Sequence, residues 1–101
     1  MIARMWHGRV PTPKAKAYRE FVNGRAIPDY QSVKGNLSVH ILERIEGDVT
    51  HFITLTVWED LESIKGFAGD DVEVAKYYEE DRDFLLEFEK KVVHYEVVGQ
   101  S

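Results

Sequence analysis

Four histidines and a small set of aromatics are the side chains in this sequence that could do chemistry. The histidines are His7, His40, His51 and His94. They are scattered over strand-like segments with no i, i+4 helical pair, so no metal site is expected. His94 sits between valines and a tyrosine in "VVHYEVV". It reads either as a satisfied interior histidine or as a general base, since a free imidazole has a pKa of about 6.5. His40 shares a strand side with Arg44 and is the second candidate base. Trp6, Phe52, Thr54, Thr56 and Trp58 are the candidate lining of a binding slot, because an aromatic wall with a few polar groups is the usual composition of a small-molecule site. Trp58 reads either as a corner residue capping a core or as a wall of that slot. There is no phosphate-binding glycine motif, and no serine can be placed beside a histidine from the sequence.

These residues must be positioned by a short chain. Its 101 residues predict one domain spanning 1–101. There is no cysteine, which excludes a disulfide framework and a thiolate site. A net charge of −5 argues against nucleic acid as a partner. No apolar run is long enough for a signal peptide or a membrane span, so a cytoplasmic location is the default. The charge is uneven: residues 1–25 are mostly basic and 70–83 mostly acidic. Either both are solvated faces, or opposite-sign surfaces meet within or between subunits.

Residues 2–10 read as a strand broken by "PTP". Thr12 is a good N-cap and Pro13 a good first residue for an amphipathic helix carrying Ala15, Tyr18, Phe21, Val22 and Ala26, which should end by Pro28. "LSVHILERIEG" and "VTHFITLTVW" alternate and flank a tight hairpin turn at "EGD". Asp60 is placed to cap a helix carrying Leu61, Ile64, Phe67 and Ala68, ended by Gly69. Residues 70–90 read as short helical pieces anchored by Val72, Ala75, Tyr78, Leu85 and Phe88, and 92–98 as a final strand. The order βαββαβ predicts an α+β, ferredoxin-like split βαβ fold, with a four-stranded antiparallel sheet and helices on one face.

The aliphatic sides of the strands are expected to meet the helices. These are Leu37, Val39, Ile41 and Ile45, then Ile53, Leu55 and Val57. The other face would then carry His40, Leu42, Arg44, Phe52, Thr54, Thr56 and Trp58, with His94 preferred over Tyr95 from the last strand. The first strand contributes either Arg4 and Trp6 or Met5 and His7. A face of that composition is an association site. A second copy of the chain, sheet against sheet, is the expected cover, and any ligand pocket would depend on it.

The order of elements, the corner "WEDLESIKGFAG" at 58–69 and the terminal "VHYEV" make nearly the whole chain similar to the antibiotic biosynthesis monooxygenase-like proteins of the dimeric α+β barrel superfamily. The resemblance implies a homodimer. It also implies oxidation of a small phenol, hydroquinone or anthrone by O₂, with no cofactor and no metal. Trp58 stands where such enzymes carry a tryptophan, and Tyr77 with Tyr78 resembles an aromatic pair that closes the pocket. His94, with His40, would handle the proton, and Thr54 and Thr56 would offer hydrogen bonds. The sequence departs from the pattern in having Thr54 for an asparagine and Ile64 for a tyrosine. It has no histidine in 59–78, where haem-degrading members place one. The alternative is a non-catalytic, small-ligand-binding or stress-related barrel of the same fold.

Overall fold

The hairpin turn at Gly47 and Asp48 sets the parity of the sheet. In the computed structural model, which describes residues 1–101, β2 (Asn36–Glu46) and β3 (Val49–Trp58) are joined by these two residues. Ile45 then faces Thr50, Ile41 faces Thr54 and Val39 faces Thr56. Residues opposite one another in an antiparallel pair project to the same side. Val39 and Ile41 therefore share a side with the threonines, not with Ile53 and Leu55.

That side is the one the helices cover. Thr50, Phe52, Thr54, Thr56 and Trp58 are all buried. The expected facing of β3 is thus reversed, while that of His40, Leu42 and Arg44 on β2 is as expected. Two edge aliphatics on the helix side of β2, Leu37 and Ile45, are exposed instead of packed. β1 (Ile2–Pro11) pairs antiparallel with β3, matching Trp6 to Thr54 and Arg4 to Thr56. β4 (Val93–Glu96) pairs with the other edge of β1, matching His94 to Arg4 and Tyr95 to Ala3. His94 therefore lies on the helix-covered side, and Val93 and Tyr95 lie on the open one. The sheet order is β2-β3-β1-β4, the ferredoxin-like arrangement.

The first helical layer is longer than expected. It runs through a 3₁₀ turn (Thr12–Lys14), α1 (Ala15–Phe21), a π-helical turn (Val22–Ala26) and α2 (Ile27–Gln31). Pro28 does not end it. The wide turn, closed by Ile27 N–H to the carbonyl of Val22, relieves the clash that a proline ring meets in a regular helix. Thr12 does not cap; its hydroxyl donates to the Gly47 carbonyl and ties the helix start to the hairpin turn. α3 (Leu61–Ala68) begins as expected, with Asp60 accepting from the backbone of Ser63 at 2.8 Å, and ends at Gly69 with φ 89°.

Residues 69–92 carry little regular structure: one 3₁₀ turn (Glu79–Asp83) and a bridge between Val74 and Lys91. The short helices expected here are otherwise absent. Ala75 and Leu85 do anchor the segment, while Phe88 is exposed. Of the terminal charges, Arg25 lies 3.9 Å from Glu80 within the chain, an exposed pair that contributes little. No helix is long and apolar enough to cross a membrane.

Two glycines are dictated by packing. At Gly8 an added Cβ would lie 2.5 Å from the Trp6 ring, so the indole lies along its own strand only because Gly8 has no side chain. At Gly35, with φ 95°, a Cβ would fall 2.1 Å from the Ser63 hydroxyl. Gly35→Ala therefore combines backbone strain with a clash against the start of α3. It should lower unfolding free energy by about 1–3 kcal/mol in urea titration. Gly24→Ala, where nothing lies within 4 Å, should not.

Candidate functional site

The space between sheet and helices is packed with aromatic rings. Tyr30 of α2 stacks on Phe67 of α3 with ring centroids 4.1 Å apart, and Trp58 meets both. On the β1 side, Tyr18 of α1 meets Phe52 edge-on at 4.9 Å, and Phe21 and Phe84 close around it. Trp6 lies between these groups on the sheet and makes an edge contact with Tyr77.

Trp58 is fully buried, and its N–H is used up locally, donating to the Thr56 hydroxyl at 2.8 Å. That hydroxyl in turn donates to the backbone carbonyl of Arg4. This indole holds the strand-to-helix corner. Trp6 differs: its buried N–H has no hydrogen-bond partner.

A cavity of about 20 Å³ remains, lined by Trp6, Tyr18, Tyr30, Thr54, Tyr78 and Asp81 among others. That is room for one water. Asp81 closes it from the irregular segment. Its carboxylate accepts from the Tyr18 hydroxyl at 3.2 Å and the Tyr78 N–H at 2.7 Å. Burial raises its pKa against the pull of these hydrogen bonds. At the rim, Asp29 accepts from Lys76 and from the Tyr78 hydroxyl. Burial pushes the Tyr18 and Tyr78 hydroxyls well above the ordinary tyrosine range, and Tyr30 to about 12.

The opposite corner of this interior is polar. Arg4 is 1% exposed. One Nη donates to the Val74 carbonyl at 3.2 Å, and the guanidinium lies over the Phe67 ring at 5.5 Å. Its Nε–H has no partner. Beside it His94 is half-buried, and its Nε2 also lacks a partner. Burial, then the Arg4 cation, lowers the His94 pKa.

The structure thus brings Trp6, Phe52, Thr54, Thr56, Trp58 and His94 onto one sheet face. That face belongs to the interior of a single chain, not to a shell between two. His40 is exposed on the far side of the sheet, opposite Leu55, and does not meet His94. Tyr77 contacts Trp6 but packs mainly on the exposed Phe88. His7 and His51 also lie on the far side, stacked with centroids 5.2 Å apart and flanked by Glu89 and Glu46.

Several interior residues carried no sequence signal. Tyr30 lay beyond the expected helix end, and Asp81 stood in an acidic run with nothing to mark which acid turns inward. Arg4 is one of two open choices for β1, because the long-range register of β1 on β3 is not written in either strand's alternation.

Comparison with solved structures places this arrangement in a known fold. A Nitrosomonas europaea protein provisionally named an antibiotic biosynthesis monooxygenase superposes with a TM-score of 0.70 at 18% identity, covering 98% of this chain and 100% of that one. A Bacillus cereus protein of the same provisional name gives 0.68 at 14% identity, covering 99% and 93%. The chain has their fold. A variant of MhuD, crystallised with two manganese protoporphyrin IX molecules per active site, gives 0.64 at 15% identity, covering 100% and 98%. No protein-family model matches the sequence, and no curated protein matches it.

Two titrations follow from these environments. The folded pKa of His94 lies below its unfolded value, so the contribution of this residue to stability is fully present above about pH 6.5 and is lost on acidification through the depressed value. NMR titration of the ring should give a midpoint below the free-imidazole value of about 6.5. Asp81 has the opposite sign for an acid. Its raised folded pKa makes stability fall as pH rises from the ordinary carboxylate value through the raised one. Denaturation curves across pH 3.5–7 should show this fall in the wild type, and its removal in Asp81→Asn.

Proposed function

We propose that the protein oxidises a small aromatic substrate of the phenol, hydroquinone or anthrone kind with O₂, at the sheet–helix interface of each chain. The observation that carries this reading is the meeting, on one sheet face, of two indoles and a phenyl ring with an imidazole nitrogen that has no partner. The shared monooxygenase-like fold supports it.

Within this reading, His94 Nε2 is the base. Its lowered pKa keeps it neutral near pH 7 and able to accept a proton. The deprotonated ring supplies the electrons that reduce O₂. One oxygen atom enters as a new carbonyl, and the other leaves as water with the two hydrogens removed. Trp6 and Phe52 hold the ring plane, and the Thr54 hydroxyl orients it, the Thr56 hydroxyl being committed to Trp58 and the Arg4 carbonyl. Trp58 fixes the corner on which they stand.

The porphyrin of the MhuD variant does not fit here. The Tyr30–Phe67–Trp58 stack fills the sheet–helix interior of this chain, and residues 59–78 offer no histidine. A substrate ring enters only if the irregular segment 69–92 moves, because the cavity holds no more than a water. Long irregular segments commonly act as lids. The same filled interior favours a second reading, a non-catalytic module that holds a small apolar ligand or a stress-related role.

The homodimer belongs to the proposal too. The open sheet face carries Met5, Ile53, Leu55 and Val57, with Val93 and Tyr95 more than half exposed. A face of this kind on a chain this small is an association site. Its occupant here is a second copy.

Aerobic incubation with a panel of hydroquinones and anthrones, followed by O₂ uptake, tests the activity. His94→Ala should slow any active substrate by about 100-fold or more, and His40→Ala should not. Absence of turnover across the panel, together with ligand-induced stabilisation, would select the non-catalytic reading. Leu55→Glu should convert a dimer to a monomer in sedimentation velocity.

A further inference from the structure

Arg4 is a buried cation without a counter-charge. No carboxylate lies within ion-pair distance of its guanidinium, although eight arginine or lysine pairs with carboxylates occur elsewhere in the chain. The Tyr30 hydroxyl interacts with it, but burial keeps that hydroxyl protonated and uncharged. Taking a guanidinium out of water without a paired anion is strongly unfavourable. Hydrogen bonding recovers the cost only in part, since the Val74 carbonyl and the Tyr30 hydroxyl engage the guanidinium while Nε–H has no partner.

The geometry of that engagement is specific. The carbonyl is held by Nη2, which forms with Nε one straight edge of the guanidinium. That edge presents two parallel N–H groups, the match for the two oxygens of a carboxylate. Nε–H on that edge has no partner, and Nη2 is engaged by a backbone group of the irregular segment. Trp6 Nε1 and His94 Nε2, both also without partners, stand on the same sheet face, two residues along β1 and directly across on β4. Glu73 and Lys76 are the other charged groups around this corner, and Lys76 is already paired with Asp29.

We propose that the ligand of this site is an aromatic carboxylic acid, bound as the anion with its carboxylate on the Nε–Nη2 edge of Arg4 in place of the Val74 carbonyl. This rests on the reading of the sheet–helix interior as an aromatic-binding site and adds the charge of the ligand. The aromatic ring then lies toward Trp6 and Tyr30. Release of Val74 from Arg4 is what loosens segment 69–92 for entry, so the anion itself opens the site it fills.

The test compares 2-naphthoate with 2-naphthamide, two ligands of the same shape that differ in charge, by calorimetric titration of the wild-type protein. Naphthoate should bind at least about tenfold tighter, and Arg4→Gln should reduce the preference to within about twofold. A readout on the wild type covers failure of that variant to fold. An anion beside Arg4 screens its charge from His94, so saturating naphthoate should raise the His94 titration midpoint in NMR, and naphthamide should not. Equal binding of the two compounds overturns the carboxylate assignment and leaves the aromatic site standing. A preference for naphthoate that survives in folded Arg4→Gln, or that leaves His94 unmoved, also overturns it. Binding of neither overturns both.

Discussion

A single two-residue connection decides what this protein keeps inside. With Gly47 and Asp48 as the only residues between β2 and β3, odd-numbered positions on one strand must share a side with even-numbered positions on the other. Val39 and Ile41 face the helices, so Phe52, Thr54, Thr56 and Trp58 must face them too. A slip of one residue in this pairing would send every side chain of β3 to the opposite face. The aromatic interior, the polar corner around Arg4 and the aliphatic open face all depend on that parity.

The resulting division of labour is physically sensible. Helices stand well away from a sheet, and the gap is filled economically by long, flat side chains such as Trp6, Phe52 and Trp58, with Tyr18, Tyr30 and Phe67 reaching down to them. The shorter branched residues Ile53, Leu55 and Val57 make a flatter layer, suited to meeting another sheet about 10 Å away. Threonines beneath the helices satisfy their hydroxyls locally, as Thr56 does with Trp58 and the Arg4 carbonyl. Arg4 itself is the exception, because its charge finds no local answer.

Much of this architecture was legible in the sequence, and the failures have identifiable causes. Strand order, the Asp60 cap, the Gly69 stop and the buried positions of the first helix follow from local patterns whose physics is local. The alternation of β3 was equally clear, but alternation fixes a period and not a direction. Assigning the aliphatic side to the core relied on hydropathy, when the pairing partner across the turn held the answer. His94 does share a face with Trp58, but it is the face beneath the helices, and the first strand's side stays open in the sequence. His40 was separated from that group only by the pairing. Segment 69–92 was the least readable, because its contacts are with distant strands and its acids look alike until one of them, Asp81, turns inward.

The wide turn at Val22–Ala26 has its own consequence for reading such chains. From Tyr18 onward the buried side chains of the first helical layer are Tyr18, Val22, Ala26 and Tyr30, a stride of four repeated three times. Around a regular α-helix each such step drifts by about 40°, so the third would swing Tyr30 about 120° from the side on which Tyr18 began. The extra residue taken up by the π-helical turn absorbs that drift and keeps all four in line. A hydrophobic stride that stays at four is therefore a written instruction for an unwound turn, and here it is what aims the last tyrosine at the sheet.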